Sequence, residues 1–404
     1  MRAQLFPLII AMMSTAALPL ATGTTFEDDV SFLRRHTEVL VLEDETGQSR
    51  LAVVPAYQGR IMTSSARGAA GRSHGWVNRE LIESGTFVPH INVFGGEDRF
   101  WLGPEGGQYS IFFAPGVPFD LAHWFTPASI DTEPFELATR ARDRARFHRD
   151  LTLTNYSGTE FRLRVDREVR LMPARPWLER LGSVLPPGTA AVGFESVNTV
   201  RNTGSAAWTK DGGLLSIWIL GMFNASPQST VVIPYVQGPE SALGPVVNDT
   251  YFGKVPPDRL VVRDGVMFFR ADAAYRSKIG VTPARAWPVM GSYDAAHGVL
   301  TLVWYTLPPG VRDYVNSMWE LQDEPFRGDA VNSYNDGPPA PGAKQLGQFY
   351  ELESSSPALA LAPGQTAVHV HQTLHLEGSE AELDPIARQC LGVSLEEIKR
   401  AFSR

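Results

Sequence analysis

The chain has 404 residues, 43% of them apolar and 20% charged, with a formal net charge of −8. That length fits two ordinary domains or one large β-sandwich, and the composition excludes wholesale disorder. No lysine- or arginine-rich block occurs, so nucleic acid is not an expected partner.

In chain order, Arg2 precedes the apolar run Leu5–Met13, and small residues follow through Ala21-Thr-Gly23. That order predicts a secretory signal over residues 1–23, too short to span a bilayer, with the mature domain at 24–404. No later segment is apolar enough to cross a membrane, so no insertion is expected after cleavage and the protein is expected to be periplasmic or secreted. Cys390 is the only cysteine, which rules out an intramolecular disulfide and reads as a small buried hydrophobe.

Strands are predicted at Val39–Leu42 and Leu51–Val54. Gly71-Arg-Ser-His-Gly75 has the letters of a nucleophile elbow but no buried parallel strand before it, so the match reads as coincidental. A helix is predicted over Gly75–Ser84, then a strand at Ser110–Phe113. In Phe161–Leu171 the odd positions are Phe, Leu, Val, Arg, Val and Leu, the even ones charged: a long half-buried strand. Leu151–Thr154 joins it through Asn155-Tyr-Ser-Gly158 as a hairpin. Val192–Val200, a turn at Asn202-Thr-Gly204 and Leu214–Leu220 repeat the pattern. Thr230–Val236, Val266–Arg270, Val299–Tyr305, Gln348–Leu352 and Val368–Leu376 follow. Asp323–Lys344, rich in proline, reads as a long surface loop that could cover a binding face. Leu383–Arg404 reads as a helix opened by Asp384-Pro385. The sum is an all-β, antiparallel chain.

The segment Phe94-Gly-Gly-Glu-Asp-Arg-Phe-Trp-Leu-Gly-Pro-Glu-Gly-Gly107 sets Glu97, Arg99, Trp101 and Glu105 between glycine pairs. Glycines allow close backbone approach, arginine supplies a planar donor fork and tryptophan a flat apolar face. That combination suits a sugar, so the segment reads as a binding rim. Glu351 and Glu353 stand two apart on one strand and share a face, where mutual repulsion would raise one pKa toward neutrality. His90 and His123 are candidate acids, the second beside Trp124. Lys278 is an isolated cation that could neutralise an anionic group. His369, His371 and His375 share one face of the last strand, but at ~3.3 Å per residue the outer two lie ~20 Å apart, too far for one metal ion. They read as a polar strand face, and neither metal nor other cofactor is expected.

The order of these features resembles the galactose mutarotase-like superfamily: the Gly-Gly…Arg99…Trp101…Pro-Glu-Gly-Gly107 segment, the strands paired through Asn turns, Phe349-Tyr-Glu-Leu-Glu-Ser354, then Leu361-Ala-Pro-Gly-Gln365 and a closing strand. The resemblance spans roughly residues 35–378 and is nearest to a secreted bacterial branch of unassigned activity. It implies an antiparallel β-supersandwich and a sugar or glycan ligand. It also implies a late-strand glutamate, matched by Glu351 or Glu353, that takes a proton from an anomeric hydroxyl. The Asn-His pattern ahead of the mutarotases' catalytic histidine is absent here, so His90 and His123 both stand for the acid. Besides an aldose 1-epimerase-like enzyme, a non-catalytic glycan-binding protein and a polysaccharide lyase or glycoside hydrolase fit these features.

Overall fold

The computed structural model describes residues 23–182, 185–340 and 342–403; the predicted signal lies outside them, save Gly23. Among the described residues no helix is long and apolar enough to cross a membrane.

Two antiparallel sheets make the body of the molecule. Ten strands form the larger one, with Thr366–Glu377 near its centre between Val299–Tyr305 and Ala190–Asn202. The smaller runs in the order Ser277–Val281, Val331–Asn335, Phe349–Ser355, Ser216–Asn224 and Arg99–Gly103. A three-stranded sheet, Leu40–Glu43, Arg50–Val54 and Arg60–Ser65, lies beside them. The architecture is all-β, as the alternation implies.

Alternation decides which face each strand buries. Glu160–Leu171 buries its odd positions and pairs with Arg144–Thr154 as the Asn155 hairpin predicts. The two main sheets share the core between Val165, Phe147 and Phe194 on one side and Phe100, Ile217 and Ile219 on the other. On the outer face of the large sheet, Leu374 and Leu376 lie under Leu383, Ile386 and Leu391.

Several expectations need correction. Ser110–Phe113 is not a strand: Ser110 Oγ donates to the Glu105 carbonyl 2.5 Å away, and Phe112 and Phe113 turn into an aromatic cluster. The first predicted helix is only Arg79–Ser84, because Asn78 caps it through Leu81 N and Gly85 ends it at φ 61°. The C-terminal helix is two, Glu380–Leu391 and Leu395–Lys399, separated at Gly392 (φ 77°). It starts at a Ser379–Glu382 capping box, with Pro385 inside its first turns. Asp323–Lys344 is not a surface excursion, since Val331–Asn335 within it is a fully buried inner strand.

Candidate functional site

Cross-strand register places the acids. In the smaller sheet Gly280, Asn332, Glu353, Leu220 and Arg99 stand in one row, and Lys278, Tyr334, Glu351 and Met222 in the next. Trp218 and Trp101 pair directly. Paired residues share a face, so one side of this sheet collects two carboxyls, a guanidinium, an ammonium and two indoles. The opposite side carries Phe100, Ile219 and Leu352 into the sandwich interior.

The collected groups are buried: Glu353 is 0% exposed, Glu351 6%, Arg99 2% and Lys278 8%. Glu353 Oε2 accepts from Lys278 Nζ and from Trp218 Nε1, each at 3.0 Å. Arg99 Nη2 lies 3.7 Å from Glu351 Oε1, and its guanidinium stacks 4.0 Å above the Trp101 ring. Glu105 borders the cluster through Trp319, which bonds its carboxyl. Its segment is clamped to the 316–322 loop: Glu105 N donates to Ser317 Oγ, and Gln322 N to Gln108 Oε1. Four buried polar atoms of the cluster lack a protein partner: Glu353 Oε1, Arg99 Nε, Arg99 Nη1 and Trp101 Nε1.

Burial raises the Glu351 pKa to about 8; the Glu353 charge and a hydrogen bond that protonated Glu351 donates to the Glu353 carboxylate add to it, against Arg99 and Lys278. Burial also raises Glu105. Burial works against the Lys278 ammonium, but Glu353, then Glu105 and Glu351, outweigh it and hold its pKa above the ordinary lysine value. Next to Lys278, Tyr251 Oη donates to Asp329 Oδ2 at 2.6 Å, and burial raises Asp329 to about 6.

The Glu351 shift has a consequence for stability. Its folded pKa of about 8 exceeds the reference 4.5, so the folded state holds this proton more tightly. Stability from this group is full below about pH 4.5 and falls as pH rises towards about 8, by up to about 1.4 kcal/mol per unit. Glu351→Gln removes that slope. Urea unfolding at about pH 5, 7 and 9 should show the variant gaining on wild type as pH rises; parallel curves would contradict the assigned shift.

The other predicted residues are distributed as follows. Glu97 faces the sandwich interior, not Arg99: its Oε2 meets His375 Nε2 at 2.8 Å and Ser64 Oγ at 2.9 Å, and burial raises its pKa to about 7. Trp124 is buried and stacks on Phe112 and Trp319, so it reaches the cluster only through other rings. His90 Nδ1 bonds the Trp124 carbonyl at 2.6 Å and its ring stacks on Phe125. His123, at the surface, pairs with Asp120 at 2.6 Å. Neither histidine bonds to either glutamate. Ser73 of the elbow-like segment bonds Asp29 and Thr63 in a buried turn.

His369, His371 and His375 do share a face, but it is an inner face and not a solvated one. Ser354 Oγ lies 2.8 Å from both His369 Nε2 and His371 Nδ1, and Thr301 bonds His375 Nδ1. Burial lowers His369 and His375 to about 3 and His371 to about 4. Among the described residues no group of three His, Cys, Asp or Glu is arranged to hold a metal ion.

Sequence reasoning missed Trp218, Tyr251, Asp329, Asn332 and Tyr334. The signal available for three of them was Asp-Ala-Val-Asn-Ser-Tyr-Asn335, a stretch alternating in size but polar on both faces.

A family model, described as a family of unknown function (DUF6786), matches residues 24–402. No curated protein matches the sequence. Among solved structures, a candidate aldose 1-epimerase from Escherichia coli K12 is similar at 14% identity and TM-score 0.49, covering 85% of this chain and 99% of that one. A galactose mutarotase-like protein from Lactobacillus casei ATCC 334 is similar at 10% identity and TM-score 0.46, over 84% of this chain and 100% of that one. A galactose mutarotase related enzyme from Lactobacillus acidophilus is similar at 9% identity and TM-score 0.46, over 84% and 98%.

Proposed function

We propose, for a chain that belongs to the DUF6786 family of unknown function, that Glu351 and Glu353 perform cofactor-free acid–base chemistry at the ring of a bound sugar. The observation that carries this reading is the set of unpartnered polar atoms around the pair. Buried polar atoms are normally satisfied, and each exception calls for an explanation. Here four of them belong to residues of one cluster: an acceptor on Glu353, two donors on Arg99 and one on Trp101. A polyhydroxyl ring offers both donors and acceptors to answer these atoms.

The two acids divide the work. Lys278 and Trp218 hold one oxygen of Glu353 and leave Oε1 to take the proton of an anomeric hydroxyl. Glu351, protonated at neutral pH, gives its proton to the ring oxygen as the ring opens. Closure on the other face of the carbonyl returns both protons, so the step is balanced. In this reading the acid role expected of His90 or His123 passes to Glu351. The N-terminal signal pattern supports a site of action outside the cytoplasm.

The test is a thermal-shift screen of monosaccharides and glycans on the mature protein, followed by NMR of anomer exchange for each hit. A ligand raises the unfolding temperature because it binds only the folded state. The expected result is a stabilising sugar whose anomers exchange faster with wild type than with Glu351→Gln. Equal exchange with both proteins overturns the proposal.

A further inference from the structure

We infer that the loop of residues 316–325 is a lid, which swings off the acid cluster to admit the sugar and closes over it for the chemistry; this rests on the sugar reading proposed for Glu351 and Glu353. The acids are sealed as they stand. Glu351, Glu353, Arg99 and Lys278 are all buried, and the void against Lys278 and Trp218 measures about 10 Å³, room for one water molecule at most. A sugar ring needs far more, so a covering segment has to move.

This loop is built to do so. Its neck is fixed: Tyr314 N donates to the Phe326 carbonyl at 3.0 Å, Gly328 N to the Tyr314 carbonyl at 2.8 Å, and Asn316 N to the Pro325 carbonyl at 2.9 Å. Tyr314 and Val315 are buried there. Beyond the neck no residue of 316–325 is buried, and Leu321 is 70% exposed. A closed neck under a compact exposed tip is the geometry of an Ω-loop. Sparse burial marks a segment that opens locally while the core stays folded.

The tip meets the site through Ser317, Trp319 and Gln322. Ser317 walls the void beside Lys278, and its Oγ accepts from Glu105 N at 3.1 Å. Trp319 bonds the Glu105 carboxyl, and its ring stacks on Trp124 with centroids 5.7 Å apart. Gln322 N donates to Gln108 Oε1 at 3.0 Å, and Gln108 Nε2 to the Gln322 carbonyl at 2.8 Å. The pair Gly106-Gly107 is the seat on which the tip rests. A Cβ at Gly106 would collide with the Met318 carbonyl, and one at Gly107 would fall 2.6 Å from the Gln322 side chain. Hydrogen bonds and one half-buried ring hold the tip, contacts that part and re-form without disturbing the core. Lifting it frees Glu105 and opens the void on the Ser317 side, where Lys278 and Trp218 hold Glu353. Closing it again shuts water away from the acids.

Fastening the lid tests this. In the mature protein, Gln108→Cys with Gln322→Cys puts one thiol on each side of the seam, in a Cys390→Ala background that removes the native one. A short bifunctional maleimide joins the two, and the same pair labelled with a monofunctional maleimide is the control. Joining should lower kcat/KM for the sugar by about tenfold or more and slow hydrogen exchange of the 316–325 amides by about tenfold. Equal kcat/KM in the joined and control proteins overturns the inference. Trp319→Phe, which keeps a ring but loses the bond to Glu105, should speed the same amides and serves if the double variant fails to fold; exchange that it leaves unchanged also overturns the lid. If no form turns over any sugar while joining still slows the amides, the lid stands and the sugar reading falls.

Discussion

Glu351→Gln is expected to lower turnover of the sugar by ~10²–10⁴-fold, the range for a positioned proton donor, with stability at neutral pH above that of wild type, because the variant has no proton to lose on unfolding. Glutamine copies the shape and polarity of a protonated glutamate, and below about pH 8 Glu351 is protonated in the folded protein. The substitution therefore leaves Arg99 and Glu353 almost the same neighbour while removing a proton that can be given away. Wild-type kcat/KM should accordingly fall as pH rises through about 8, because the acid form is then lost. The variant's residual rate should lack that limb. A purely structural Glu351 would behave differently, with unchanged kcat/KM and a pH profile the substitution does not move.

Much of the frame was legible in the sequence because period-two alternation reports directly on which face is buried. Phe161–Leu171 was readable for that reason, and the two-residue spacing of Glu351 and Glu353 in a strand context set both on one face. What alternation cannot report is the partner. Arg167 occupies an apolar position in its strand, a sign that something buried must answer its charge. Nothing local names Asp98, 69 residues away. The same blindness hid Val331–Asn335. Its Asn332 and Tyr334 face the acid cluster, and Ser333 and Asn335 spend their side chains on backbone groups, so neither face is apolar. The histidine strand misled in the opposite sense. Three same-face histidines look solvated, yet each finds its polar partner on another strand or loop of the sandwich.

Glu97 shows how a motif can serve two sites. The chain bridges to Ile61 at Asp98 and enters the small sheet at Arg99. Glu97 and Asp98 are thus committed to the interior, while Arg99 and Trp101 face the acids. Gly221 helps make this possible: a Cβ there would meet the Glu97 carbonyl at 2.5 Å, so the motif lies closer to its neighbouring strand than any side chain allows. The position of Arg99 therefore depends on what anchors the residue before it.

That anchor is the second large effect. Arg167→Met is expected to destabilise the protein by about 3–5 kcal/mol, the cost of leaving a buried charge without its partner. Both side chains are 0% exposed. Arg167 Nη2 donates to Asp98 Oδ1 at 2.6 Å and to the Asp98 carbonyl at 3.0 Å, Nη1 to Asn198 Oδ1 at 2.6 Å, and Nε to the Gly59 carbonyl. Methionine keeps much of the volume but answers none of these acceptors, so the Asp98 carboxylate loses its counter-charge in the core. A loss of this size is a large part of the ~5–15 kcal/mol that holds a typical domain together. Asp98→Asn in the Arg167→Met background should recover part of it, since a neutral amide needs no counter-ion. Urea unfolding of both variants and the double mutant measures the coupling. A single-mutant cost below about 1 kcal/mol would mean the pair is solvated, contrary to its burial. Because Asp98 precedes Arg99, the folded fraction of Arg167→Met should also bind sugar more weakly, and the double mutant should regain affinity together with stability.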